Sequence, residues 1–359
     1  MERTVKVGII GCGGIANGKH MPSLHKLPNV EMVAFCDIIE DKAKAAAEKY
    51  GTPDAKVFTD YKDLLAMDEI EVVHVCTPNR SHSFITIDAL HADKHVMCEK
   101  PMAKTAADAK AMLDAAKETG KKLTIGYQNR FRPDSTYLHR ACERGDLGEV
   151  YFAKAHALRR RAVPTWGVFL NEYEQGGGPL IDIGTHALDL TLWCMDNYEV
   201  KSVTGTTFKK LNDQTETANA WGDWNREEFT VEDSAFAFIT MKNGATTMLE
   251  SSWALNTLEV DEAKTSLCGT KAGADMKDGL RFNFVEFGRQ VVSKPDLESG
   301  GVAFYHAPKE SEADIEAKQW IDAVVNDKEP VVKPEQALVV SQILEAVYES
   351  AKTGKTIYF

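Results

Sequence analysis

Val5-Lys6-Val7-Gly8-Ile9-Ile10 leads directly into Gly11-Cys12-Gly13-Gly14-Ile15-Ala16, and the reading of this stretch decides the fold. The first run is apolar and β-branched and reads as a strand. The second fits G-x-G-x-x-G/A with Ala16 in the last place, and a helical stretch follows. In that pattern Gly11 permits a tight turn, and Gly13 lets backbone approach a pyrophosphate. Gly14 and Ile15 lead into a helix N-terminus that attracts phosphate, and the small Ala16 lets helix and strand pack closely. A glycine-rich turn alone is common, so its surroundings matter. Working outward, Asp37 closes the next strand-like run, Glu31 to Asp37, 21 residues beyond Ala16. A ribose-binding carboxylate is expected about 20 residues on. The competing reading is an ordinary strand–helix turn followed by a surface aspartate. A carboxylate accepts from ribose hydroxyls and repels a 2′-phosphate. Its neighbours Ile38 and Ile39 supply no arginine, so NAD is favoured over NADP.

Further out, strand-like runs at Val72 to Cys76, His95 to Cys98 and Leu123 to Gly126 alternate with helical stretches at Asp41 to Tyr50, Ser81 to Ala92 and Thr105 to Thr119. Such alternation implies right-handed parallel βαβ units in one buried, doubly wound sheet, with ligands beyond the carboxyl ends of the strands. Two segments open there. Thr77-Pro78-Asn79 follows one strand, with Asn79 either capping the next helix or touching the cofactor, two compatible roles. Glu99-Lys100-Pro101 follows another; by position alone, a lysine there is usually a solvated surface residue.

After about Tyr127 the character changes. A helix is expected from Asp134 to Arg144 and a strand from Val150 to Leu158. The segment Arg159 to Gly178 reads as a loop, and a helix follows at Thr185 to Met195. Period-two features then run through Val200 to Lys209, Ser234 to Met241 and Ala245 to Ala254. Lys242-Asn243-Gly244 between the last two is a hairpin signal. The second domain is therefore α+β with a mostly antiparallel sheet. The expected division is 1–126 and 127–359, with C-terminal helices around Ile315 to Val325 and Pro334 to Ala351 able to pack back on the first domain.

In the segment Gly176-Gly177-Gly178-Pro179-Leu180-Ile181-Asp182-Ile183-Gly184-Thr185-His186, Asp182 and His186 stand four apart, on one face of a helix or its first turn. A histidine beside a carboxylate can serve as general acid/base. The upstream glycines could let backbone approach a ligand. The plainer reading makes Asp182 a helix cap and His186 a satisfied core histidine. No third histidine or cysteine lies at metal-ligand spacing here, so no metal is expected.

A chain of 359 residues, 43% apolar and 27% charged, suits a soluble two-domain protein. Its 42 basic and 54 acidic side chains leave a charge of -12, which argues against nucleic acid or an anionic membrane as partner. No apolar stretch approaches the roughly 18 residues that span a bilayer. Seven cysteines is an odd count without a C-x-x-C pair, and Cys36, Cys76 and Cys98 sit in apolar runs. These features point to a reduced cytoplasm.

Taken together and in this order, GCGGIA with Asp37, CTPN, EKP and GGGPLIDIGTHALDL resemble the glucose–fructose oxidoreductase / inositol dehydrogenase / MocA (Gfo/Idh/MocA) family over essentially the whole chain. The resemblance implies a Rossmann domain followed by an α/β domain with an open, largely antiparallel sheet. It implies an NAD-dependent dehydrogenase of a sugar, polyol or glycoside hydroxyl. Lys100 would stabilise the developing alkoxide, His186 would take the proton, and Asp182 would orient the substrate or His186. Thr77, Pro78, Asn79, Glu99 and Lys100 would line the cofactor. Tyr127-Gln128-Asn129-Arg130-Phe131 resembles a family segment facing the cleft, which makes Tyr127 and Arg130 substrate candidates. Arg160, in the run Arg159 to Arg161, and Trp166 offer guanidinium donors and an aromatic plane for a hydroxylated ring. The competing reading for these two is a solvated loop and core packing. Two other functions stay open: a glycoside-cleaving family member that oxidises its sugar transiently, and a dinucleotide-sensing regulator. Intact Lys100, Asp182 and His186 count against the regulator. Phe236, Phe238 and Trp253 give the expected sheet more apolar surface than a solvated face normally exposes, which points to a homodimer or tetramer.

Overall fold

Short, nearly continuous apolar runs can be buried on both faces only if helices cover the sheet from both sides. In the computed structural model, which describes residues 3–297 and 310–359, six such runs form one parallel sheet. They are β1 (Val5–Ile10), β2 (Val30–Cys36), β3 (Lys56–Phe58), β4 (Val72–Val75), β5 (His95–Cys98) and β6 (Leu123–Ile125), in the order β3-β2-β1-β4-β5-β6. The helices between them are α1 (Met21–His25), α2 (Glu40–Tyr50), α3 (Tyr61–Leu65), α4 (His82–His91) and α5 (Ala106–Thr119). The order reverses between β1 and β4, the place where a doubly wound sheet opens a crevice. Local signals fix the ends of α5: the Thr105 hydroxyl accepts from Asp108 N at 3.1 Å, and left-handed Gly120 stops it. The doubly wound sheet expected from the sequence is borne out. Strand β3 and the short helix α3 escaped the reading, because three residues at a sheet edge and a single helical turn carry no clear period.

Among the described residues the second sheet has nine strands. They are β7 (Val150–Leu158), β8 (Val200–Phe208), β9 (Ser234–Met241), β10 (Thr246–Ser252), β11 (Asp261–Gly269), β12 (Ala272–Asp275), β13 (Arg281–Glu286), β14 (Arg289–Ser293) and β15 (Ile357–Tyr358). Their order is β14-β13-β12-β11-β7-β10-β9-β8-β15, and only the β7–β10 pairing is parallel. β9 and β10 form the expected hairpin, with Gly244 at φ +92° and its N–H donated to Met241 O. Helices α6 (Pro133–Glu143), α7 (Glu172–Gln175) and α8 (Thr185–Met195) belong to the same unit. One face of the sheet packs on α6 and α8 through Leu138, Ala153, Leu190, Trp193 and Leu267. Period two turns Phe238 and Met248, cross-strand partners, to the other face, where they are 50% and 36% exposed. Trp253 does not join them. It follows the end of β10 and is fully buried, which corrects its assignment to the exposed face.

The chain then returns to the first unit. The described residues group as 3–128 with Glu310–Ser341, and as 129–297 with Gln342–Phe359. Helix α9 (Glu312–Val325) starts at a reciprocal Ser311–Asp314 cap. Its Trp320, Ile321 and Val324 pack with Val5, Val7, Met21 and Leu24. Helix α10 (Pro334–Thr353) begins in the first unit and ends in the second. All seven cysteines are unpaired. Among the described residues no helix is long and apolar enough to cross a membrane.

Trp320 is 3% exposed. Trp320→Ala should therefore cost about 3–5 kcal/mol, as large-to-small core substitutions do. Urea denaturation measures it, and a loss under about 1 kcal/mol would mean that α9 is not part of this core.

Candidate active site

At the turn after β1, Gly11 has φ +90°, and a Cβ there would lie 2.7 Å from the backbone of Cys76 at the end of β4. Only glycine fits. Beyond Gly13 and Gly14 a Cβ would meet nothing within 4 Å, so their backbone borders open space. Ile15 is 40% exposed, and the helical run from Ala16 to His20 is a π turn that passes into α1. Asp37 closes this mouth: its carboxylate accepts from Cys12 N and from Ile39 N, each at 2.9 Å. Ile38 beside it is 89% exposed. Burial, reinforced by the Asp37 charge, pushes the Cys12 and Cys36 thiols up to about 12. On the other side of β1, the Thr77 hydroxyl is buried with no hydrogen-bond partner among the described residues. Asn79 is not the helix cap; it begins a 3₁₀ turn, Asn79–Ser81, and α4 starts after Ser81. His82 at the start of α4 links two loops, with Nε2 2.9 Å from Thr77 O and Nδ1 2.8 Å from Pro101 O.

Glu99 at the end of β5 turns inward. Its Oε1 accepts from Lys19 Nζ at 2.7 Å and meets His20 Nε2 at 2.8 Å, while Oε2 accepts from Lys100 N at 3.1 Å. Lys19 also pairs with Glu316 of α9 at 2.8 Å and donates to Gln128 Oε1 at 3.1 Å. Burial alone would raise Glu99, but Lys19 and His20 outweigh it and hold the carboxylate well below its usual range. His20 Nδ1 meets His74 Nδ1 at 2.8 Å, and burial drives His74 well below the ordinary imidazole range. Both Glu99 oxygens are thus engaged within the protein. Through the second of them it holds the backbone of Lys100, which is half-buried. Nothing in the sequence marked Lys19, His20, His74 or Glu316.

In the second unit, Asp182 sits in a π turn, Leu180–Gly184, that continues into α8, and His186 occupies the first turn of that helix. Widened turns of this kind recur at functional sites. The indole of Trp253 donates to Asp182 Oδ2 at 3.0 Å, a partner the strand pattern concealed. Around it runs an aromatic cluster. Phe169 meets Trp253 edge-on at 6.5 Å, and Trp166 meets Phe169 at 6.0 Å and Trp221 at 4.9 Å. Trp166 is 52% exposed and Trp221 44%. Within the arginine run, Arg159 pairs with Glu262 at 2.6 Å and lies 5.3 Å over the Trp221 ring. Arg161 donates to Asn256 Oδ1 at 2.6 Å. Arg160 is exposed, and its guanidinium makes no hydrogen bond among the described residues.

The expectation for Tyr127 and Arg130 needs correcting. Both are fully buried. The Arg130 guanidinium grips Asp189 of α8, Nε to Oδ2 at 2.9 Å and Nη2 to Oδ1 at 2.6 Å. Neither side chain has surface to offer a substrate, and Arg130 serves the fold instead. Among the described residues no group of three histidine, cysteine, aspartate or glutamate side chains is placed to hold a metal.

A glycine turn and acidic closure on a doubly wound sheet, with a second unit that carries an acid–imidazole run, define a Rossmann-type oxidoreductase. The chain belongs to the Gfo/Idh/MocA family. Residues 5–127 match the profile described as "Oxidoreductase family, NAD-binding Rossmann fold", and residues 140–359 match "Oxidoreductase family, C-terminal alpha/beta domain". Among its relatives is D-glucoside 3-dehydrogenase of Escherichia coli K12, 37% identical over 98% of this chain and 97% of that protein. Inositol 2-dehydrogenase of Salmonella typhimurium is 32% identical over 56% of this chain and 57% of its own length. Similar solved structures include aldose-aldose oxidoreductase from Caulobacter crescentus, at TM-score 0.81 and 24% identity over 99% of this chain and 100% of that one. Levoglucosan dehydrogenase with NADH and levoglucosan has TM-score 0.83 and 20% identity, covering 99% of each chain. At those identities the structures speak for the fold.

If Arg130 is structural, Arg130→Met leaves Asp189 charged and unpaired in the interior, at a cost of about 3–5 kcal/mol. Adding Asp189→Leu should recover most of that loss in denaturant titrations. A single variant as stable as the parent would show that the pair does not hold the unit together.

Proposed function

We propose that the protein is an NAD-dependent dehydrogenase acting on a secondary hydroxyl of a glycoside or related sugar or polyol. The observation that carries the reading is the run bearing Asp182 and His186, with Asp182 held by Trp253 beside exposed aromatic rings. Aromatic planes with a few polar groups suit a hydroxylated ring. The E. coli relative supports glucosides as the first class to examine, since the two chains align over nearly their whole lengths.

The first unit has the features that NAD requires. Gly13 and Gly14 border open space, the Thr77 hydroxyl has no partner among the described residues, Asp37 presents a carboxylate at the mouth, and Ile38 and Ile39 offer apolar surface nearby. Gly11, Gly13, Gly14, Ile15 and Ala16 would hold the pyrophosphate, with Asp37 on the ribose hydroxyls and Thr77, Pro78 and Asn79 along the crevice. Bound NAD supplies the acceptor for the hydride that leaves the carbinol carbon. His186 takes the hydroxyl proton, Lys100 stabilises the oxygen as charge develops on it, and Asp182 orients His186 or the substrate. Arg160 and Trp166 would hold the rest of the sugar. We also place the exposed Phe238 and Met248 face against a second copy of the chain, since contiguous apolar surface marks association. Light scattering that finds only the 39.7 kDa monomer at micromolar concentration would refute this.

Two measurements test the chemistry. In calorimetric titrations NAD should bind at least tenfold more tightly than NADP, roughly 1.4 kcal/mol. Asp37→Ala should narrow that gap by relieving repulsion of the 2′-phosphate, and equal or tighter NADP binding by the parent protein would sink the assignment. In NADH-absorbance assays over a panel of glucosides, free monosaccharides and inositols, His186→Ala and Lys100→Ala should each lower kcat by about 10²–10⁴-fold. NAD affinity should change little, and thermal melting checks that each variant is folded. A folded variant that turns over at near the parent rate removes its residue from the site.

A further inference from the structure

A helical run leaves its first N–H groups without partners inside the helix. At the start of the run that carries Asp182 and His186, two of these groups find one outside it. Gly178 N donates to Glu232 Oε2 at 2.9 Å, and Leu180 N donates to Glu232 Oε1 at 3.2 Å. The Tyr348 hydroxyl donates to the same Oε1 at 2.8 Å. Glu232 is 9% exposed and lies just before β9, and Tyr348 comes from α10. Gly177 and Gly178, ahead of the run, are explained by these two residues. A Cβ on Gly177 would collide with the Tyr348 hydroxyl, and one on Gly178 with the backbone carbonyl of Glu232. The space at Gly177 and Gly178 is filled by the chain itself. Asp182 is tied to the same point, because its N–H donates to Gly178 O at 3.0 Å.

We propose that Glu232 is a positioning residue for Asp182 and His186: its buried carboxylate, braced by Tyr348, fixes the N-terminal end of the run from which both side chains project. The proposal rests on the reading that Asp182 and His186 act on the reacting hydroxyl. A carboxylate suits the task better than a neutral acceptor, because charge-assisted bonds are stronger and a negative charge complements a helix N-terminus. Burial holds Glu232 above the ordinary carboxylate range, partly offset by Gly178, Tyr348 and Leu180 as donors. Besides Glu232, the Glu172 carboxylate also raises Tyr348. Burial, and then Glu232 itself, keep the Tyr348 phenol well above its usual range, so it remains a donor. The sign follows. The ionised carboxylate accepts all three bonds, whereas protonation turns one oxygen into a donor facing another donor. The cap therefore weakens as pH falls through the raised value, and losing the Tyr348 hydroxyl moves that value higher still.

Four measurements on the whole chain decide the matter. Amide hydrogen exchange at neutral pH should show residues 178–186 exchanging at least tenfold faster in Glu232→Gln, with the first unit unchanged. Glu232→Gln should lower kcat about 10- to 100-fold with methyl β-glucoside and NAD, the range expected from losing bonds to a charged group. Its calorimetric NAD affinity should stay within about twofold of the parent, since the variant leaves the first unit intact. In Tyr348→Phe, which deletes one atom and keeps the ring, the acid limb of the kcat profile should shift to higher pH, whereas general loosening would lower kcat at every pH alike. Unchanged exchange at 178–186 in a folded Glu232→Gln protein overturns the cap, as does a Tyr348→Phe profile that superimposes on the parent. A parent protein that oxidises none of the sugars, with faster exchange in Glu232→Gln, instead overturns the functional reading and leaves the cap standing.

Discussion

The Lys19 ammonium, sealed between Glu99 and Glu316, is the interaction on which the first unit depends. The ammonium of a lysine only 7% exposed loses its hydration, and the penalty is several kcal/mol unless opposite charge replaces the water. Two carboxylates do so, and they come from places remote in sequence. Lys19 lies in the π turn after the glycine motif, Glu99 follows β5 directly, and Glu316 stands on α9. All three segments must arrive together or a buried charge is left unpaired. Burial pulls Lys19 down, yet Glu316 and Glu99 more than reverse it, so the lysine stays charged throughout the neutral range. Glu99 carries this constraint to the site, since its second oxygen holds the N–H of Lys100. The same network that closes the fold therefore orients the backbone at the proposed catalytic lysine.

The first sheet was legible because its signals are local. A glycine turn, an aspartate just after β2 and strand–helix alternation each depend on a few adjacent residues, and together they point to a doubly wound parallel sheet and mark five of its six strands. The second sheet was legible only where period two was clean, as in β7 and β9. Strands β11 to β14 contain Lys264, Asp275, Asn283 and Glu286 among short apolar stretches, and β15 is two residues at the far end of the chain. Pairing between such segments is decided by tertiary contacts, which leave little trace in sequence.

Site residues divide in the same way. Asp182, His186, Lys100 and Asp37 stand in recognisable motifs, whereas the groups that hold them do not. Trp253 read as one more apolar residue of a strand, and its indole N–H instead reaches Asp182 across 71 positions. Arg130 misled in the opposite direction. A motif-like neighbourhood suggested a substrate contact, but Asp189, itself within the GGGPLIDIGTHALDL segment, takes both arms of the guanidinium. Neither π turn announces itself in the residues that form it, although Lys19, His20 and Asp182 all depart from one. A wider turn redirects side chains without changing the pattern of apolar residues, so periodicity cannot report it.

The buried thiols have a further consequence. Cys12 in the glycine turn and Cys36 beside Asp37 are raised to about 12, and Cys76 at the end of β4 lies well above its usual value. Only a thiolate attacks an electrophile, and these three exist almost wholly as protonated, enclosed sulfur while the sheet is closed. Alkylation of any of them then waits on a local opening. They surround the mouth proposed for the dinucleotide. Their labelling rate is accordingly a clock for how often that mouth comes apart, built into the native chain and needing no introduced probe.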